Sequence, residues 1–292
     1  MANERKGKTM NVIMKKVVHG LKREFFKPLK VFFFHQVSSH FVEGKDKFFI
    51  FTSFEDFKGN IQYLRQRYQF ISLPEAYGLY QHKRLRGKRY AVITFDDGYA
   101  NTLEALDFLR QLNIPATIFV NSKYVFERSV GVINLYTLMH SPLPNRFNEE
   151  QRQMIEKLYN QDLQTDYKKN WDGLMASMLE IPSVLSDLYL TPSQLEHLDP
   201  SLFTIGMHGY EHYNSLQLSD EDFMDNVDKD MALLSNYPNF IPFFCFPYGF
   251  ARDSQLKLLR EAGMVPVLCS GGDNYSVDRV IYRQCMDGVK LN

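Results

Sequence analysis

The chain has 292 residues, of which 45% are hydrophobic, 14% aromatic and 23% charged, with 24 Phe and 17 Tyr. That composition excludes disordered, collagen-like and low-complexity chains, and a formal net charge of zero leaves no overall positive field to recruit nucleic acid. Three cysteines, Cys245, Cys269 and Cys285, form no C-x-x-C pair, which argues against a zinc ribbon or disulfide scaffold and suits a reducing compartment.

In chain order, residues 1–29 form a basic segment holding Arg5, Lys6, Lys8, Lys15, Lys16, Lys22, Arg23 and Lys27 against Glu4 and Glu24. Val12, Ile13, Val17, Val18, Leu21, Phe25 and Phe26 are interspersed. A segment of this kind either makes peripheral contact with an anionic membrane surface or is simply a solvated tail. No stretch approaches the roughly 20 apolar residues of a membrane span, and no export signal is expected. The expected location is cytoplasmic, at the inner face of the membrane if the leader binds lipid.

Val31–Val37 (VFFFHQV) then reads as a buried strand, and Ser53 with Asp56 three residues on opens a helix carrying Phe57, Ile61 and Leu64 on one face. Tyr90–Phe95 is a strand running into Asp96-Asp97-Gly98. Leu103, Leu106, Leu109 and Leu112 mark a helix that stops before Pro115, and Ala116–Val120 is the next strand. From about 127 to 198 the text is more polar, contains the single Trp171, and reads as an insertion of two or three helices. The β/α rhythm resumes with strands at Leu202–Met207, Ile241–Phe246 and Met264–Cys269, separated by helices from Ser219 and Ser254. Strands alternating with helices predict a parallel sheet. The domain over 30–292 is near the roughly 250 residues of a β/α barrel.

In such barrels the loops after the strands build the site. Three polar clusters stand there. Asp96 and Asp97 end one strand, and paired carboxylates can divide the work of holding a metal and accepting a proton. His208 and His212 follow another; imidazoles four residues apart converge on one ion if the segment turns helically. Phe246-Pro247-Tyr248-Gly249 follows a third. Each is weak alone, and their shared position at strand ends is the stronger signal.

Together these residues resemble the polysaccharide deacetylases, the NodB-type family also called carbohydrate esterase family 4. The motif Thr-Phe-Asp-Asp-Gly stands intact at 94–98. His-x-x-x-His stands at His208 and His212, and Arg-x-Pro-Tyr appears as Cys245-Phe246-Pro247-Tyr248. The resemblance implies a distorted (β/α)7 barrel with a helical insertion, and a metal-dependent hydrolase removing N-acetyl groups from amino sugars. It implies Zn2+, or Co2+, Ni2+ or Fe2+, held by Asp97, His208 and His212, with Asp96 as general base and the Tyr248 backbone N–H as oxyanion donor. The partners implied are an N-acetylated glycan or a lipid-linked sugar.

Two departures stand out. Cys245 replaces the Arg that tethers the base, with Arg283 a candidate substitute. No His follows His212 to act as general acid. His35 fits instead, as in the branch acting on poly-β-1,6-N-acetylglucosamine. The aromatics Tyr99, Tyr210, Tyr213 and Tyr248 near the motifs are candidates for stacking on sugar rings, and the remaining histidines read as structural or exposed. Alternatives are a metal-dependent esterase on O-acyl sugars and an inactive glycan-binding domain.

Overall fold

A computed structural model describes residues 29–43, 46, 50–82, 85, 88–143, 147–160, 167–178, 185–269, 274 and 280–291. The basic segment expected over 1–29, with His19, lies outside these residues except for Leu29.

The chain opens with β1 (Leu29–Phe34), β2 (Gln36–Ser38) and β3 (Phe51–Ser53), followed by α1 (Phe54–Arg65), β4 (Gln69–Phe70), α2 (Leu73–Gln81) and β5 (Tyr90–Phe95). The run Val31–Val37 is therefore two strands. It breaks at His35, after which β2 pairs with β3 in a separate small sheet. Ser53 caps α1 as its sequence suggests, its hydroxyl accepting from Asp56 N–H at 3.1 Å. Next come α3 (Leu103–Gln111) and β6 (Ala116–Val120). Helices α4 (Ser122–Phe126), α5 (Val132–Met139), α6 (Glu149–Tyr159), α7 (Tyr167–Ser177) and α8 (Pro192–Glu196) follow. Four of these, α5–α8, fall within 127–198 among the described residues, more than the two or three expected; the helix Glu149–Tyr159 and the one starting at Thr191-Pro192 stand where the sequence places them. The chain ends with β7 (Phe203–Met207), α9 (Asp220–Leu234), β8 (Phe240–Cys245), α10 (Asp253–Glu261), β9 (Val265–Leu268), β10 (Ile281–Tyr282) and β11 (Gln284–Cys285).

Every pairing between these strands is parallel. The main sheet runs β10-β9-β8-β7-β6-β5-β1-β11, with β4 also on β5. Its two outer strands are consecutive in the chain and separated only by Arg283. Ile281 and Tyr282 pair with β9, whereas Gln284 and Cys285 pair with β1. The segment 281–285 is therefore one split stave that closes a ring of seven, the distorted (β/α)7 barrel.

Alternation along the strands separates two cores. Phe32, Phe34, Ile93, Phe95, Ile118 and Met207 pack in the larger cluster with the helices. Leu29, Val31, Val92, Phe119, Phe243, Val267 and Ile281 form a second cluster, joined by Leu73, Ala76 and Tyr80 of α2. Thr94, Cys245 and Arg283 continue the alternating series of Val92, Phe243 and Ile281, so the strands present polar groups where they reach the loops.

Candidate active site

Asp96 and Asp97 leave the end of β5 in different directions because Asp97 adopts left-handed backbone, φ 67°, followed by Gly98 at φ 74°. Only glycine suits position 98, since a Cβ there would also lie 3.0 Å from Val120 Cγ1. Asp96 meets Arg283. The guanidinium donates from Nη1 to Oδ1 at 2.6 Å and from Nη2 to Oδ2 at 2.7 Å, a bidentate pair with both side chains buried. Arg283 also donates to Thr94 Oγ1 at 3.0 Å and lies 2.8 Å from Cys245 Sγ, its cation resting over the Phe33 and Phe119 rings. Burial pushes the Asp96 carboxyl up, but the Arg283 charge and hydrogen bonds outweigh it and hold Asp96 below the usual carboxylate range.

Asp97 meets the histidines. Its Oδ1 lies 3.2 Å from Nε2 of both His208 and His212. That buried oxygen nevertheless makes no hydrogen bond of acceptable geometry. His208 Nδ1 sits 2.8 Å from the Cys245 carbonyl, which can only accept, so Nδ1 carries a proton and Nε2 is the nitrogen turned toward Asp97. A buried carboxylate oxygen without a hydrogen bond, facing two imidazole nitrogens, is a donor set that fits a divalent metal of the zinc type. The convergence is not helical. Between His208 and His212 the chain makes an irregular turn using left-handed backbone at Gly209, φ 80°, and His212, φ 56°.

This turn is clamped by residues that sequence reading missed. Asn121, directly after β6, donates through Nδ2 to the carbonyls of His208 at 2.7 Å and Gly209 at 2.8 Å. Asp230 of α9 accepts from the Ser122 hydroxyl and from Ser122 N–H at 3.3 Å. Burial raises the Asp230 carboxyl to about 7 despite those bonds. Both were findable: Asn121 stands at a strand end like the motifs, and Asp230 interrupts the buried stripe Phe223, Val227, Leu234.

Tyr248 follows β8 in left-handed backbone, φ 60°, with its ring 4.8 Å from His212. Gly249 behind it packs so closely on Cys269 that a Cβ would lie 2.5 Å from the cysteine Cβ. His35, at the break after β1, is held by Asp287, which accepts from His35 N–H at 3.0 Å and pairs with Nδ1 at 2.5 Å. Burial draws the His35 pKa down, but the Asp287 charge and hydrogen bond, with Asp97 and Asp96, raise it above the ordinary imidazole value. Asp287 was also missed, because Asp-Gly near a chain end reads as a turn. Tyr99 and Tyr213 are buried in the packing and offer no stacking surface, while Tyr210 and Tyr248 are partly exposed. His40, His82, His140 and His197 are exposed.

The family model for polysaccharide deacetylases matches residues 83–267. The chain belongs to the polysaccharide deacetylase family. The barrel is shared with solved structures at low identity. IcaB from Ammonifex degensii is 19% identical with a TM-score of 0.60, over 88% of this chain and 91% of that one. Streptococcus pyogenes deacetylase PplD, in complex with acetate, is 15% identical with a TM-score of 0.58 over 88% and 91%. The BpsB deacetylase domain from Bordetella bronchiseptica is 15% identical with a TM-score of 0.52 over 88% and 95%. No curated protein matches the chain. In this deacetylase, His35, Arg283 and Asp287 all lie outside the segment matched by the family model.

Proposed function

We propose that this deacetylase is a metal-dependent hydrolase that removes N-acetyl groups from amino sugars of a glycan or glycan precursor. The observation that carries this reading is the orphaned Asp97 Oδ1, 3.2 Å from two imidazole nitrogens. Asp97, His208 and His212 would hold the ion, zinc being the expected occupant with cobalt, nickel or iron as substitutes. When bound, it would polarise the acetyl carbonyl and lower the pKa of a water.

The remaining work falls to the chain. Asp96, ionised and held in one orientation by Arg283, takes a proton from the attacking water as the C–O bond forms. The Tyr248 N–H, set by the left-handed turn, donates to the oxyanion that develops on the carbonyl oxygen. His35, kept protonated by Asp287, gives its proton to the amide nitrogen as the C–N bond breaks, releasing acetate and the free amine. One base and one acid, each with its own charged partner, account for both transfers. Such pairing argues against an inactive glycan-binding domain, which would need neither. His35 in place of a late histidine favours a β-1,6-linked N-acetylglucosamine substrate, and the basic leader favours a lipid-linked or membrane-proximal one. No helix among the described residues is long and apolar enough to cross a membrane.

The test is metal content by elemental analysis together with acetate release from N-acetylated and O-acetylated oligosaccharides, for wild type and His208→Ala. We expect about one metal per chain and release from the N-acetyl oligomers, both lost in the variant. Release from O-acetyl sugars alone would transfer the reading to an esterase. Failure to bind any divalent metal on reconstitution would overturn it.

A further inference from the structure

The helical insertion between β6 and β7 returns to the barrel at residues 188–190, on the turn that carries Asp97. Leu190 N–H donates to the Gly98 carbonyl and Ala100 N–H to the Leu188 carbonyl, each at 2.9 Å, making an antiparallel bridge between Tyr99 and Tyr189. The Tyr189 ring then packs on two others. It stacks on Tyr99 with centroids 5.1 Å apart and planes 20° apart, and it meets Tyr124 of α4 at 4.8 Å and 33°. All three side chains are buried. The Tyr189 hydroxyl donates to Asn134 Oδ1 of α5 at 2.6 Å, which ties the ring to the insertion. Tyr99 and Tyr124 each support a turn that carries candidate metal ligands. Tyr99 lies two residues after Asp97. The Tyr124 hydroxyl donates at 3.0 Å to the carbonyl of Glu211, the residue before His212, and Lys123 N–H donates to the Tyr210 carbonyl at 3.1 Å. Tyr189 is therefore in contact with the supports of both turns. Left-handed backbone at Asp97 and His212 aims the two ligands, and such backbone persists only where its surroundings hold it.

We infer that Tyr189 is a positioning residue for the metal ligands: packed on Tyr99 and Tyr124, it sets the Asp97 turn against the His212 turn and so raises metal affinity. The inference rests on the proposed metal site and gives the insertion a part in it. Aromatic rings at these separations attract beyond their buried area, and residues that orient ligands without touching the ion set a large share of its affinity. By linkage, an ion held between the turns must in return stabilise the bridge between 98–100 and 188–190. A tyrosine that only glued the insertion to the barrel would contribute stability and leave the affinity for the ion unchanged.

The test is Zn2+ affinity of the full chain, measured by competition with a chelator and without substrate, for wild type, Tyr189→Leu, Tyr189→Phe and Tyr159→Leu. Tyr189→Leu loses both ring contacts and should bind about 10–100-fold more weakly. Tyr189→Phe keeps the rings, loses only the hydroxyl, and should recover most of the affinity. Tyr159→Leu removes a stack on Tyr136, centroids 3.6 Å apart, that joins α5 to α6 inside the insertion. It should cost stability and leave the affinity unchanged. With saturating Co2+, the visible absorption of Tyr189→Leu should differ from wild type, because the ligand geometry has changed, while that of Tyr159→Leu should not. Equal affinity in wild type and Tyr189→Leu, or an equal loss in Tyr159→Leu, would overturn the assignment. Hydrogen exchange of wild type needs no variant to fold. The amides of Ala100 and Leu190 should slow when Zn2+ is added, by more than those of α6, and no slowing, or equal slowing in both, would also overturn it. If wild type bound no metal, the metal-dependent reading would fall and this assignment with it; the other outcomes are read with metal bound by wild type and bear on the assignment alone.

Discussion

Replacing Arg283 with Met keeps a long apolar stem on the split stave and removes the only cation bonded to the Asp96 carboxylate among the described residues. Both partners are buried, with side-chain exposures of 0% and 2%. Breaking a buried pair from one side costs about 3–5 kcal/mol, because the other charge is left without compensation. The contacts to Thr94 Oγ1 and Cys245 Sγ are lost as well, adding about 1 kcal/mol. Against a total stability of roughly 5–15 kcal/mol, the loss is a large share. With a urea slope near 3 kcal/mol/M it moves the midpoint down by about 1.3–2 M at pH 8. The pH dependence separates this account from generic damage. In wild type the Asp96 pKa is held below its unfolded value, so its contribution is present above that value and is lost as pH falls through the folded pKa. In Arg283→Met burial loses its main opponent and faces only the weaker charges of His208 and His35, so the pKa rises, and the penalty is largest at high pH and relieved as pH falls. Equilibrium unfolding at pH 8 and pH 5 should therefore show the difference from wild type shrinking toward pH 5. Asp96→Asn in the Arg283→Met background should recover most of the loss. A deficit equal at both pH values, or under about 1 kcal/mol, would refute the reasoning.

Asp287→Asn removes the charge that keeps His35 protonated, so the alkaline limb of the kcat/KM profile should move to lower pH while the acid limb stays in place; an unmoved alkaline limb would remove His35 from the role of acid. Asn121→Ala leaves the buried carbonyls of His208 and Gly209 without their donor, and metal affinity measured by competition with a chelator should fall about 10–100-fold with the fold retained, as for other residues supporting metal ligands. Asp230→Asn should weaken metal binding less, because Asn still accepts from Ser122 through its amide oxygen, and the same chelator titration ranks the two.

The barrel and much of its site were legible because both rest on local signals. Apolar β-branched runs such as Tyr90–Phe95 and Ala116–Val120 identify themselves as buried strands. The loop at the end of such a strand is where a parallel barrel places chemistry, which is why Asp96, Asp97, His208 and His212 could be singled out together. What escaped was non-local or short. The two-residue strands β4, β10 and β11 carry no periodicity. The bends that aim the ligands depend on left-handed backbone at Asp97, His212 and Tyr248, residues whose identity does not announce that conformation. The partners of the proposed base and acid come from the far end of the chain: Arg283, the candidate substitute for the missing arginine, does reach Asp96 across 187 positions, whereas Asp287, which meets His35 across 252, escaped. Only closure of the ring brings Asp287 to His35, and nothing in the text around it marks that contact.

That closure also explains how Cys245 can stand where the family pattern has arginine. Cys245 Sγ lies 2.8 Å from Arg283 Nη2 and 3.9 Å from Asp96 Oδ2. The guanidinium from the closing stave therefore fills the space that an arginine on β8 would claim. One carboxylate in a fully buried setting accommodates one such cation. Cys245→Arg alone should place two positive charges on Asp96, and it should cost at least about 3 kcal/mol through like-charge repulsion and overpacking. Arg283→Cys alone should cost about as much as Arg283→Met. The double variant, Cys245→Arg with Arg283→Cys, restores one cation and one small residue. The main-chain bond from Arg283 N–H to the Leu268 carbonyl that helps close the ring needs no particular side chain. The double should therefore be more stable than either single, an interaction of at least about 2 kcal/mol in a double-mutant cycle, with part of the deacetylase rate restored. Additive losses in urea unfolding would mean that the charge cannot be moved between staves, and that Arg283 acts through the backbone of the split strand rather than through Asp96.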